Sequence, residues 1–252
     1  AGVTSGSVTS QDEAVWDETT AITVDLYGTD ATLESVTEAE VLNGANAAII
    51  GDNQVIQFQN AVQVGGYDNR WTLSRILWGR RGSDHSAGTY ASGSRFLLLD
   101  GAVLFVENSL TELAIARDFK AVTAGFSISD TASTSFTWSA NGLKPLSVVD
   151  VQSSRDGSNN LTVTWVRRSR LGHETPYAGA DLPLGVQYER YELDVMNGST
   201  VVRTITVNDA TTASYSAAEQ TTDFGSPQAS LTIKIYQISA TVGRGFERSA
   251  TV

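Results

Sequence analysis

Residues that could do chemistry are few in this chain. It has two histidines, His85 and His173, and no cysteine, which removes disulfides, thiolate nucleophiles and Cys-ligated zinc together. Asp84, His85 and Ser86 are the residue types of a nucleophilic triad. A triad, however, is three side chains converging from separate places on one reacting atom, and three successive residues do not converge that way. The plain reading is a polar loop in which Asp84 pairs with Arg80 or Arg81 and His85 caps or packs the turn. His173 lacks an H-E-x-x-H context, so a zinc site would have to draw both histidines from distant parts of the chain. The glycines at 79, 82 and 88 lack the Lys-Ser/Thr that would hold a phosphate. Nor do the 28 acidic residues single out an opposed pair for glycoside hydrolysis. No catalytic, metal or cofactor-binding residue is therefore assigned, and the chain is read as a non-enzyme.

Two basic clusters remain, Arg80–Arg81 and Arg167–Arg168–Ser169–Arg170, set in a chain of formal net charge −11. One reading is ion pairing with nearby acids on a solvated face. The other is docking of a neighbouring acidic subunit, since arginine pairs bidentately with carboxylates. The second reading makes Arg80, Arg81, Asp84, His85, Arg167, Arg168, Arg170 and Tyr177 the candidate subunit-interface residues. Tyr177 lies with Pro176 and Gly179 in a long insertion, 167–186, of the kind that often carries function.

The elements that must position these residues read as strands. Trp71–Trp78 and Arg95–Leu99 flank the polar Gly-punctuated loop. Trp71 and Leu73 have opposite parity to Ile76 and Trp78, so a bulge near Ser74–Arg75 is needed to put all four on one face. Upstream, 20–27 alternates as a half-buried strand, and a short helix is expected over 36–43 with Ser35 or Thr37 as its cap. Strands are expected at 47–50 and 54–64. Downstream, 102–106, 119–129 and 133–138 read as strands rich in Val, Thr, Phe and Trp. Asn141–Gly142 and Pro145 place a domain boundary near 145. Beyond it, strands recur at sandwich spacing, with Asn197–Gly198 as a type I′ hairpin signal.

Composition narrows the classes. Hydrophobic residues make up 41% and charged residues 18% of 252, which is globular usage. The acidic balance argues against a nucleic-acid partner. No apolar run reaches the roughly 20 residues of a membrane-spanning helix, so no membrane insertion is expected. Residues 1–19 are Ser/Thr-rich and then acidic and read as a solvated lead-in. They have neither the charged nor the apolar region of a signal peptide, and the opening reads as a cut end inside a longer chain.

Several segments carry a resemblance. WTLSRILWGRRGSDHSAGTYASGSRFLLLD (71–100), VLNGANAAIIGDNQVIQF (41–58) and DFGSPQASLTIKIYQISATVGRGF (223–246) are similar to segments of the tail-tip, or baseplate hub, proteins of gene transfer agents and related long-tailed phages. The resemblance runs in one order from about Thr32 to Phe246. It implies a mainly β chain, with a β-rich hub domain (1–145) followed by a fibronectin type III-like sandwich (146–252) that has Trp165, Tyr188, Tyr191 and Tyr236 in the core layout. It also implies a structural role at the distal end of a tail: attaching fibres or neighbouring subunits and supporting host adsorption, as a homotrimer with other tail and baseplate proteins. Location in the virion and assembly in a bacterial cytoplasm follow, the latter consistent with the missing cysteine. A host surface glycan or receptor is a further partner under this reading. Two other functions are weighed beside it. A carbohydrate-binding module would need exposed tryptophans among Trp16, Trp71, Trp78, Trp138 and Trp165, and a cell-wall hydrolase accessory domain would need a cleft with opposed carboxylates.

Overall fold

The computed structural model describes residues 1–12, 15–28, 30–171 and 182–252. Over the first hundred residues the elements are β1 (Gly2–Thr4), β2 (Val8–Thr9), β3 (Asp17–Leu26), α1 (Glu38–Leu42), β4 (Ala47–Ile50), β5 (Gln54–Gln63), β6 (Arg70–Leu77), β7 (Thr89–Tyr90) and β8 (Arg95–Leu98). Six of the strands close into an antiparallel barrel in the order β1-β3-β6-β5-β4-β8. Closure removes the unpaired edges that would otherwise invite aggregation.

The closing strand is β1, which pairs with both β3 and β8. The expected lead-in over residues 1–19 is therefore corrected, because its first residues complete the barrel. A side chain at Gly2 would place its Cβ 2.2 Å from the Asp25 carbonyl oxygen, so only glycine fits that pairing. Val8–Thr9 pairs with Tyr90–Thr89, and Asp17 opens β3.

The core holds Ile22, Val24, Ile56, Phe58, Leu73, Ile76, Trp78 and Phe96, with Trp71 packed against it. The four apolar residues of β6 and its end thus do share one face. Their change of parity falls at Arg75, which has φ 57°, opposite a register shift in β3 between Asp17 and Ala21. Helix α1 is shorter than expected, with Thr37 as N-cap. Glu40 accepts from the Thr37 backbone N–H at 2.7 Å and completes a reciprocal capping box.

The segment after β8 departs from the sequence reading. No strand forms over 102–106, and 119–129 is mostly loop. The only strands are β9 (Ala116–Phe119) and β10 (Thr134–Thr137), paired with each other as an isolated ribbon. Every residue of both is exposed. The expected single domain over 1–145 is therefore a barrel followed by an arm.

The remaining strands are β11 (Val149–Arg155), β12 (Leu161–Val166), β13 (Arg190–Asn197), β14 (Thr200–Asn208), β15 (Thr212–Tyr215), β16 (Thr232–Ser239), β17 (Gly243–Arg244) and β18 (Arg248–Thr251), with helix α2 (Ala217–Phe224) before β16. They form two facing sheets, β11-β12-β15 and β14-β13-β16, with β17 and β18 both pairing to β16. First, second and fifth strands in one sheet and the rest in the other is a fibronectin type III-like sandwich. Its core includes Trp165, Tyr191, Leu193, Val195, Tyr215, Ile233 and Ile235. Trp165 and Tyr191 meet edge to face with ring centroids 5.2 Å apart. Tyr188 and Tyr236 lie outside that cluster. Two local readings change here. Asn197 pairs with Thr200 and only Gly198 has positive φ, whereas a type I′ turn needs it at both central residues. Helix α2, capped by Ser216 and ended by Gly225 at φ 84°, was not foreseen.

Candidate functional site: the junction and the arm

The loop between β6 and β7 carries the first basic cluster, and its backbone sorts the side chains to opposite sides. Arg81 adopts φ 56° between Gly79 and Gly82, both also at positive φ. Arg80 turns inward, 3% exposed, and its Nε donates to Gln57 Oε1. Gln57 Nε2 in turn donates to the carbonyls of Val41, at 2.6 Å, and Ala45. Ser83 Oγ accepts from the Val55 N–H at 2.8 Å and donates to the Arg80 carbonyl. Arg80 is thus a strut of the barrel and presents no guanidinium to a partner, while Arg81 is exposed.

Asp84 and His85 face the other way, toward the sandwich. Asp84 pairs with neither Arg80 nor Arg81, as the plain reading had it, but with Arg168, 84 residues on. Arg168 Nη1 donates to Asp84 Oδ2 at 2.7 Å and Nη2 to Oδ1 at 3.3 Å. Ser147 Oγ bridges both at 3.2 Å. The two charged side chains are 3% and 9% exposed, so this is a desolvated pair held inside one chain. Beside it, the His85 ring stacks on the Phe246 ring with centroids 3.6 Å apart, and Lys144 Nζ lies 5.5 Å from the centre of the Phe246 ring. His85 Nδ1 donates to the Gly82 carbonyl at 3.1 Å, and burial of the ring face lowers the imidazole pKa. A Cβ on Gly82 would lie 2.5 Å from Leu146 Cδ2, and one on Gly245 2.5 Å from the Pro145 carbonyl. The barrel and the sandwich are therefore in close contact through glycines, a stacked ring pair and one buried ion pair.

The rest of the second cluster also turns inward. Arg167, 8% exposed, donates from Nη2 to the Leu182 carbonyl at 2.5 Å and lies 3.7 Å from Glu189. Arg170 reaches the carbonyls of Gly142 and Gly185. For Arg80, Arg167, Arg168 and Asp84 the expected role of presenting charge to another subunit is corrected, because each is spent within the chain. Tyr177 and His173 lie outside the described residues. Among the described residues no group of three His, Cys, Asp or Glu is placed to hold a metal, and no helix is long and apolar enough to cross a membrane. None of the five tryptophans is exposed. The ring of Trp16, half-buried, is covered by the Arg75 guanidinium 4.7 Å from its centroid, which leaves no flat platform for a sugar there.

What sequence reasoning missed is the arm. Among the described residues, ten of the eighteen exposed large hydrophobic side chains lie between Leu104 and Phe136. Leu104 is 91% and Phe105 83% exposed. Phe119 and Phe136 touch edge to face on one side of the ribbon, and Phe126 and Ile128 crown its tip. A two-stranded ribbon with nothing packed on it is marginal by itself. Large exposed apolar patches are, in general, where proteins meet partners or membranes.

The fold class is thus a closed β-barrel joined to a fibronectin type III-like sandwich. A family model described as "Rcc01698-like, C-terminal", after a gene transfer agent-related protein, matches residues 1–97. The match covers the barrel and ends within β8, so the arm and sandwich lie beyond it. Two solved structures share low similarity. The rat CD45 extracellular region, domains d3-d4, is 17% identical with TM-score 0.31, covering 61% of this chain and 71% of that one. The FN5 domain of Drosophila Lar is 13% identical with TM-score 0.26, covering 43% and 94%. The sandwich assignment rests on strand order and not on these scores. Comparison with curated proteins gives no match.

Proposed function

We infer that this chain is a non-catalytic structural component of a phage or gene-transfer-agent tail tip, working as part of the distal hub. The observation that carries the reading is the arm. A chain that turns its buried charged side chains toward its own groups, but which holds ten large apolar side chains in water on one segment, is built to be completed by another protein. The match of the barrel to a gene transfer agent-related family supports the tail context. On this reading the partners are other copies of the chain, in a homotrimer, together with baseplate proteins and fibres; host surface glycan or receptor is met by the assembled tip. The chain would reside in the virion after assembly in the bacterial cytoplasm. The test is deletion of residues 101–139 in the producing cell. Tails that lack a complete tip and fail to adsorb are the expected result, and particles of normal yield and adsorption refute the role.

A further inference from the structure

Resting on the host-surface part of that reading, a site for a surface ligand can be placed on the sandwich. Two cavities of about 290 and 230 Å³ share Glu189 and Asp209 in their walls. Trp165 and Arg167 line the first, and Tyr188, Arg190 and Asn208 the second. The backbone holds the two shared carboxylates side by side, since Glu189 leads into β13, Asp209 leaves β14, and the Asp209 N–H donates to the Glu189 carbonyl at 2.9 Å. The polar groups of this groove are not spent. Trp165 is 3% exposed, yet its Nε1–H has no acceptor, and Arg190 Nε is buried without one as well. Among the described residues, the Asp209 carboxylate also has no hydrogen bond or ion pair. Buried donors are nearly always satisfied, so an orphaned pair along one groove needs an explanation. Other arginines of the same sandwich are engaged: Arg203 with Asp223 and Arg244 with Asp194, both at 2.6 Å.

We propose that this groove binds one ring of a neutral sugar, with Trp165 Nε1 and Arg190 donating to its hydroxyls and Asp209 accepting from them. The class of ligand follows from the lining. Donors and acceptors stand together in a small space, and a hydroxyl is the group that both gives and accepts a hydrogen bond. Charge points the same way. Arg167 and Arg190 balance Glu189 and Asp209, so the groove favours neither an anion nor a cation. Tyr188, 37% exposed, adds an apolar ring face with a polar tip, which suits a ligand that is itself part apolar and part wet. The larger cavity is on the order of ten water volumes, room for a single ring.

The test is a titration of the intact chain with glucose, galactose, N-acetylglucosamine and rhamnose, followed by NMR at the indole N–H resonance of Trp165. Each sugar is taken to about 50 mM, where a site of millimolar Kd is filled. At least one is expected to move that resonance along a saturating curve. Arg190→Met and Asp209→Asn should each weaken its binding at least about tenfold, the loss of a hydrogen bond to a charged group. Both variants should melt with the wild type, since Met keeps the apolar stem of Arg190 and Asn tolerates the φ of 51° at Asp209. Sorbitol, an open-chain polyol, and sulfate, an anion, should leave the resonance in place. The proposal is overturned if none of the four sugars gives a saturable shift, or if the shift survives both substitutions. It is equally overturned if sorbitol acts as well as the sugars or if sulfate alone acts. None of these results touches the tail-tip reading, which the particle deletion tests with no sugar added.

Discussion

Replacing Arg168 by Met should do more damage than removing any surface charge of this chain. The guanidinium is 3% exposed and its partner carboxylate 9%. After the substitution Asp84 keeps one hydrogen-bond donor, Ser147 Oγ at 3.2 Å. Stranding a buried charge in this way costs about 3–5 kcal/mol, whereas exposed ion pairs are worth roughly 0–1 kcal/mol. Asp84→Leu strands the arginine and should cost a similar amount. The double variant Asp84→Leu/Arg168→Met replaces the pair by apolar side chains and should recover most of the loss, because exchanging a buried pair for packed hydrophobics is near neutral. A double-mutant cycle by urea unfolding then gives a coupling of about 5–9 kcal/mol, the two single losses less the small residual loss of the double variant. Because the pair bridges barrel and sandwich, each single variant should also separate their unfolding into two transitions. Single variants that each shift stability by under about 0.5 kcal/mol and add without coupling would refute the reasoning. They would mean that water enters the junction and that the contact is not a clamp.

Three other outcomes follow from the same contacts. Trp165→Ala empties the centre of the sandwich, where the indole is 3% exposed against Tyr191, and should cost about 3–5 kcal/mol by denaturant unfolding. Burial alone would raise the pKa of Asp17, but hydrogen bonds from Thr20, Trp78 Nε1 and Thr19 outweigh it and hold the carboxyl well below its usual 3.8. Its contribution is therefore complete above that value and lost as pH falls through the lower native one. Asp17→Asn should destabilise by about 1–3 kcal/mol at pH 7, and its deficit relative to wild type should shrink as melting is followed below pH 4. His85 is likewise held neutral to a lower pH than a free imidazole, so wild type should lose stability as pH drops below 6.5; His85→Phe keeps a ring against Phe246 and should flatten that part of the melting profile.

Most strands of the first hundred residues and of the sandwich were legible in the sequence because their side chains alternate between a buried and a wet face, but closure of the former into a barrel was not. Strand β4 matches its expected limits, and the parity break in β6 correctly called for an irregularity near Arg75. The lead-in was misread because β1 is three small residues whose inward positions are Gly2 and Thr4, with no apolar side chain to mark them. The arm was misread for the opposite reason. Leu104, Phe105 and Phe126 have the composition of core strands, and a single sequence does not say whether apolar surface is buried by its own chain or by another. The pairing of Asp84 with Arg168 was out of reach as well, since a link across 84 residues depends on how two domains meet. The acid and the base were visible, but the nearer Arg80 and Arg81 were the partners the sequence offered Asp84.

The central claim is that this chain is built into a tail tip. Its most direct test is electron microscopy of purified particles labelled by an antibody against the sandwich. The account predicts label at the distal end of the tail, and particles that carry none there, or carry it on the capsid, would contradict it.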